Sequence, residues 1–272
     1  MKKKLRKVLL VVLAVVFAVS INMLTRQYFD NTGADAAYDT AMEIAMASEG
    51  EAAASMAETQ PQTVKQAWVP EAVEDDPQME ELEKMDLAAL QEVNPDVVGW
   101  IRIPDTKVDY PLLQGQDNDF YLNKTWDKKK NSVGSIFLEH RNSNDFTDYN
   151  TIVYGHNMND GSMFAALRDY TDHHYWKKHP YIYVRTGAGV FRYEVFSSYK
   201  AKLDSPAYGL SFQQSETKAK FLTESLKQSR YDTEIIPAPN DRILTLSTCS
   251  GMGYTSRWLV QARLKMVQVP KS

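Results

Sequence analysis

One thiol stands alone in this chain. Cys249 is the single cysteine among 272 residues, and it closes the run Ile243-Leu244-Thr245-Leu246-Ser247-Thr248-Cys249, which reads as a strand. Eight residues later Arg257 opens a second strand-like run, across a loop containing Gly251 and Gly253. A lone thiol forms no internal disulfide, and an exported chain that keeps a free reactive sulfur ordinarily has a use for it. The chemistry such a group offers is nucleophilic attack by the thiolate, which at neutral pH needs a base or a fixed cation beside it because a free thiol titrates near pH ~8.5. Strand alternation puts Ile243, Thr245, Ser247 and Cys249 on one face, with Leu244, Leu246 and Thr248 on the other. In the following run Trp258, Val260, Ala262, Leu264 and Met266 oppose Arg257, Leu259, Gln261, Arg263 and Lys265. If the two runs pair as a hairpin, Cys249 and Arg257 lie roughly 5 Å apart on neighbouring strands.

A base must come from elsewhere. His156 ends the run Thr151-Ile152-Val153-Tyr154-Gly155-His156 and is followed by polar residues and Gly161, the kind of strand end at which a scaffold presents functional groups. Pattern alone leaves an acid/base role and a surface histidine equally open. His173, His174 and His179 match no zinc spacing and read as exposed imidazoles in a loop between helix and strand, with a metal protein as the minor alternative. His140 is uninformative alone. Asp117, Asp119, Asp145, Asp148 and Asp160 fall in turn-like segments, where aspartate bonds its own backbone. No phosphate loop or dinucleotide fingerprint occurs, and nothing in the sequence calls for a cofactor or a metal.

These groups need a scaffold. From about residue 78 the chain offers a steady supply of aromatics over a length suited to one domain with a single core. Met79, Leu82, Met85, Leu87, Leu90 and Val93 recur at helical spacing until Asn94-Pro95 ends that helix. Strand signals follow at 97–103, 108–114, 135–140, 151–156, 180–186, 190–203, 243–249 and 257–267. Two helices interrupt them, one over 162–170 with Ser162 as its cap and one over about 212–228, just before the cysteine strand. Many short strands with few helices predict a mainly β sandwich or barrel.

The N-terminus sets the compartment. Lys2, Lys3, Lys4, Arg6 and Lys7 precede an uncharged stretch from Val8 to Leu24, which as a helix at ~1.5 Å per residue nearly spans a ~30 Å hydrocarbon layer. Cations before the apolar run hold residues 1–7 in the cytoplasm and send the rest outside, giving a single-pass anchor over 8–24. Ala18-Val19-Ser20 keeps a cleaved secretory signal as the competing reading. Between Arg26 and Lys84 the only cation is Lys65 amid fourteen acidic residues, a composition that predicts a flexible acidic linker over 25–77. The net charge of -4 thus originates in the linker, and the domain at 78–272 shows no basic stripe of the kind nucleic acid requires.

The ordered motifs also carry a resemblance. Thr245-Leu246-Ser247-Thr248-Cys249 with Arg257 downstream resembles the signature of sortases, the cysteine transpeptidases of Gram-positive cell surfaces. Val108-Asp109-Tyr110-Pro111, Gln114-Gly115, Asp117-Asn118, Tyr121-Leu122-Asn123, Gly134-Ser135-Ile136-Phe137 and Tyr154-Gly155-His156-Asn157-Met158 with Gly161-Ser162-Met163-Phe164 are similar to class B members in particular. The likeness covers nearly all of 78–272. It implies an eight-stranded sortase-like β-barrel with N-terminal helices and a helix before the cysteine-bearing strand.

It further implies Cys249 as nucleophile, His156 as acid/base and Arg257 as stabiliser of the oxyanion or substrate, with Asn118, Leu122, Tyr154 and Ser247 lining a peptide groove. Ser250 stands where some class B members have an acidic residue. The partners implied are secreted proteins bearing a C-terminal sorting signal cleaved after threonine, and an acceptor amine from a peptidoglycan precursor or a pilin lysine. Two rivals stand beside this expectation: a secreted cysteine peptidase that releases the thioester to water, and a tethered binding module whose cysteine is incidental.

Overall fold

Eight strands close on themselves in the computed structural model, which describes residues 2–47, 76–249 and 255–269. The strands are β1 (Val97–Arg102), β2 (Asp109–Leu113), β3 (Ile136–Leu138), β4 (Asn150–Tyr154), β5 (Tyr181–Thr186), β6 (Gly189–Lys202), β7 (Ile243–Cys249) and β8 (Ser256–Gln268). Around the barrel they run β1-β2-β3-β4-β7-β8-β6-β5, with β5 returning to β1. Closure leaves no open sheet edge. β2 with β3 and β4 with β7 pair in parallel, and every other neighbouring pair is antiparallel.

Alternation sorts the side chains into two layers. Leu244, Leu246, Val260, Ala262, Leu264 and Met266 belong to the main core together with Trp100, Tyr193 and Phe137. Ile243, on the opposite face of β7, packs with Phe196 of β6 and with Phe221 and Leu222 of α5 (Ser215–Gln228). The helix expected before the cysteine strand is therefore present, laid against the outer surface of β6 and β7.

The N-terminal helices differ from the sequence expectation. The periodicity over 79–93 is split into α2 (Pro77–Glu83) and α3 (Leu87–Val93), because the Asp86 side chain accepts from Ala89 N at 3.0 Å and so starts a new helix. Asp76 caps α2 and also accepts from Tyr183 (3.0 Å) and Arg192 (2.9 Å), which ties that helix to β5 and β6 through a buried ion pair. α4 (His173–Lys178) occupies a stretch read as loop, capped by Asp172 accepting from His174 N. Conversely, the helix expected from Ser162 is a 3-10 helix at Ala165–Thr171, and Ser162 is not its cap: its hydroxyl donates to Asp160 at 2.6 Å.

The largest departure lies before the barrel. α1 (Lys2–Met46) runs unbroken through the apolar segment and on across 25–46, the first part of the stretch expected to be a flexible linker. One 18-residue window of it has mean hydropathy 2.2 with none of that window buried, which makes it the one helix among the described residues long and apolar enough to cross a membrane. Beyond it, Ala34, Tyr38, Ala41 and Ala45 are buried at a spacing that forms one stripe. Alanine favours helix and lets the backbone lie close to the barrel. The residues that made the composition look unable to fold alone thus fold on a partner surface. Asn131 Nδ2 donates to Asp30 O (2.8 Å), Trp126 Nε1 to Ala37 O (2.6 Å) and Asp86 N to Ala45 O (2.9 Å). The rest of the expected linker, 48–75, lies outside the described residues, as does the glycine-containing loop 250–254.

Candidate active site

Backbone register alone brings three distant segments to one end of the barrel. β7 and β8 are antiparallel, with Cys249 directly opposite Arg257. β4 lies on the other side of β7 and runs parallel to it, with Tyr154 opposite Ser247. His156 is two residues beyond Tyr154, and Cys249 is two residues beyond Ser247. In neighbouring parallel strands about 4.8 Å apart, equal advance from paired residues ends at the same level. The bond from Gly155 N to Ser247 O (3.2 Å) extends that pairing one step toward the site. The thiol-bearing and guanidinium-bearing residues thus pair across β7 and β8, and the imidazole-bearing residue follows just past the end of the adjacent β4.

His156 is half-buried and is held by a backbone oxygen. Its Nε2 lies 2.7 Å from Leu122 O, on the 3-10 turn Phe120–Asn123. A carbonyl only accepts, so Nε2 carries the proton, and the nitrogen whose protonation can change is Nδ1. The loop around it is tight. Gly134 adopts φ +67°, and a Cβ there would sit 2.8 Å from His156 Cδ2 and 2.7 Å from Leu122 O. A Cβ on Gly155 would meet the Phe164 ring at 2.8 Å. Glycine is required at both places, by conformation at the first and by space at both. Arg257 is half-buried and donates from Nη1 to Ser256 O at 3.2 Å, which orients its guanidinium.

The residues expected to line a groove fall into two linked networks. Asn118 Nδ2 and the Tyr154 hydroxyl both donate to Glu139 Oε2, at 2.7 and 3.0 Å. Arg141 Nε donates to Glu139 Oε1 at 2.7 Å, and the Asn118 amide oxygen accepts from His140 N at 3.0 Å. Glu139 is 1% exposed. Burial pushes its carboxyl up, but the bonds from Arg141, Asn118 and Tyr154 outweigh that and hold it below the usual range, so it is an anion at neutral pH. Tyr154 also stacks on Tyr208 at 6.5 Å, and Tyr208 shares a hydroxyl contact with buried Ser247 at 3.0 Å. Leu122 remains 39% exposed beside them.

Gln114, from the Gln114-Gly115 motif, donates to Glu139 O (3.2 Å) and Asn142 O (2.7 Å), while Glu139 and Tyr208 stand outside the motifs read from the sequence. Their only local signal is a carboxylate directly after the apolar run Ile136-Phe137-Leu138. The three other histidines sit apart from this end. His173 stacks on Trp176 at 5.2 Å on α4, His174 lies 3.3 Å from Asp172, and His179 Nδ1 lies 3.0 Å from Pro104 O. Asp117, Asp145 and Asp160 accept from backbone N–H groups two or three residues on, as turn residues do.

Comparison with known proteins gives this arrangement its family. The sortase domain matches residues 101–265, well over half of the chain, and the chain belongs to the sortase family, whose members are cysteine transpeptidases. Sortase B of Listeria monocytogenes is 42% identical over 164 residues, covering 60% of this chain and 67% of that protein. Among solved structures, a Staphylococcus aureus sortase B–substrate complex superposes with TM-score 0.63 at 34% identity, over 71% of this chain and 86% of that one. The structure of Listeria monocytogenes sortase B superposes with TM-score 0.60 at 40% identity, over 66% of this chain and all of that one. Within the family the chain is of class B. The fold expectation, an eight-stranded barrel with N-terminal helices and a helix before the cysteine strand, holds throughout.

Proposed function

We propose that this protein is a membrane-anchored transpeptidase that cleaves a C-terminal sorting signal after threonine through a thioester at Cys249 and transfers the cleaved protein to a cell-wall amine. The observation that supports the reading is the register that pairs Cys249 with Arg257 and Ser247 with Tyr154, with His156 two residues past Tyr154 at the same end of the barrel. Cys249, as thiolate, attacks the threonine carbonyl, and Arg257 stabilises the charge that collects on its oxygen. His156 delivers a proton from Nδ1 to the departing amine, the C–N bond breaks and a thioester remains. An incoming amine then attacks the thioester carbon, His156 takes up its proton, and the cysteine leaves as thiolate when the new amide forms. One amide bond is exchanged for another, so no nucleotide is consumed.

Glu139 supports the groove from behind by fixing Asn118 and Tyr154, while Tyr208 and Ser247 close its other side. The apolar part of α1 serves as a single-pass anchor with residues 1–7 in the cytoplasm and the barrel outside, in keeping with the exposed window of mean hydropathy 2.2. The acceptor is an amine of a peptidoglycan precursor or a pilin lysine.

Incubating the protein with a sorting-signal peptide, with and without an amine, and weighing the enzyme by mass spectrometry tests this directly. The expected result is an acyl adduct on Cys249 that amine discharges into a ligated product. Hydrolysed acid alone, even at saturating amine, assigns the chain to a peptidase instead, and no adduct with any peptide in a library defeats the catalytic reading.

A further inference from the structure

We propose that Tyr38, carried by the helix that continues from the apolar N-terminal segment, is a positioning residue for His156, so that docking of α1 on the barrel sets the geometry of the imidazole. The inference rests on the reading of His156 as the acid/base. Tyr38 is buried, and its hydroxyl donates to Gly134 O at 2.6 Å and lies 3.1 Å from Ser135 Oγ. Gly134 is the residue on which a Cβ would meet both the imidazole and the Leu122 oxygen that holds it. Ser135 N in turn donates to Tyr121 O at 3.0 Å, one residue before Leu122. The phenol therefore grips the backbone that backs the ring and the turn that supplies its hydrogen-bond acceptor.

A second path reaches the same histidine through Tyr110. The Tyr38 ring packs edge-on against Tyr110, with centroids 5.1 Å apart. The Tyr110 hydroxyl accepts from Met163 N at 3.1 Å, where Met163 is held at φ 54°, a conformation non-glycine residues rarely adopt. Met163 bridges to Asn157, the residue after His156, and Phe164 N donates to His156 O at 2.8 Å. One side chain of α1 thus braces both strands of the clasp around His156. The rest of that helix supplies the grip that keeps Tyr38 in place, through Asp30 and Ala37 to Asn131 and Trp126 on the segment leading to Gly134.

The test uses the full-length chain in detergent micelles, comparing Tyr38→Phe, which keeps the ring and removes the donor, with Tyr110→Phe and with Glu43→Ala on the exposed face of the same helix. Two readouts are taken: steady-state transpeptidation across pH, and the imidazole 15N resonances of His156. Tyr38→Phe is expected to lower kcat roughly 3- to 10-fold with KM within about twofold, to move the pH–rate profile, and to shift the His156 Nε2–H resonance, since small misplacement of an acid/base is costly. Tyr110→Phe should move the same quantities less, and Glu43→Ala should match the wild type. Unchanged kcat, profile and resonances in folded Tyr38→Phe overturn the proposal, as does a loss confined to thermal stability. Should Tyr38→Phe not fold, an unchanged profile and resonance in Tyr110→Phe overturns it equally. The resonance does not depend on turnover: if it shifts in a chain that never transpeptidates, the positioning stands and the transpeptidase reading falls.

Discussion

The β7–β8 hairpin and the clasp around His156 meet at the same barrel end, yet they hold their residues by different means. Cys249 and Arg257 are placed by a continuous antiparallel ladder that begins at Ile243 opposite Arg263, so their proximity follows from register and from the buried alternation that forbids a slip. His156 stands past the end of its strand and is placed by a carbonyl, a left-handed glycine and a bridge to Met163. A ladder is hard to displace without unfolding the sheet. A clasp can shift by fractions of an ångström while the barrel stays intact. The proposed nucleophile and its cation are therefore set by the core, and the proposed acid/base is set by loop packing.

Substitutions can break this contrast. Cys249→Ala should remove the acyl adduct and lower turnover by more than about 10⁴-fold with little change in thermal midpoint, measured by mass spectrometry and calorimetry. Arg257→Lys should cost about 10²-fold in kcat, because an ammonium does not reproduce the guanidinium fork. Gly134→Ala sharpens the comparison. The added methyl collides with the Leu122 oxygen and with His156 Cδ2, so kcat should fall about tenfold or more. Alkylation of the thiol at high pH, where the thiolate forms without help, should proceed at the wild-type rate. If Gly134→Ala slows that alkylation as much as it slows turnover, the two halves of the site are not independent.

The smallest effects belong to Glu139. Glu139→Gln puts an amide where side chains of Asn118, Tyr154, Arg141 and His140 converge, and should cost about 1–2 kcal/mol of stability and a few-fold in KM for the peptide. Its pH dependence has a definite sign. The folded-state pKa lies below the ordinary value of 4.5, so the carboxylate's contribution is complete above that value and disappears as pH falls through the folded pKa. Thermal melts of wild type and Glu139→Gln should run a constant distance apart above about pH 5.5 and converge below 4.5, and parallel curves down to acid would remove the electrostatic account.

Much of the barrel was legible because its strands are bounded by turn residues and carry period-two apolar runs. β7 matches its sequence boundaries, and β8 extends its expected span by one residue at each end. The cysteine and arginine were legible for the same reason. What periodicity could not show is packing between segments far apart in sequence. The apolar spacing from Met79 to Val93 continues smoothly across the break that Asp86 introduces. Residues 30–46 look solvated because their alanines and acidic side chains bury little surface alone, and only the barrel wall turns Ala34, Tyr38, Ala41 and Ala45 into a buried stripe. Glu139 was invisible because Asn118 and Tyr154 become its partners only when β3 pairs with β4 and the turn at Phe120 folds over them.

The parallel pairing of β4 with β7 also governs the order of events as the chain matures. Some ninety residues intervene between the paired positions, so this closure has a high loop-entropy barrier and belongs among the slow, late contacts. Until it forms, sulfur and imidazole are on separate pieces of an unfinished polypeptide. On the proposed mechanism, a nascent chain is therefore chemically unarmed, and competence arrives with completion of the fold.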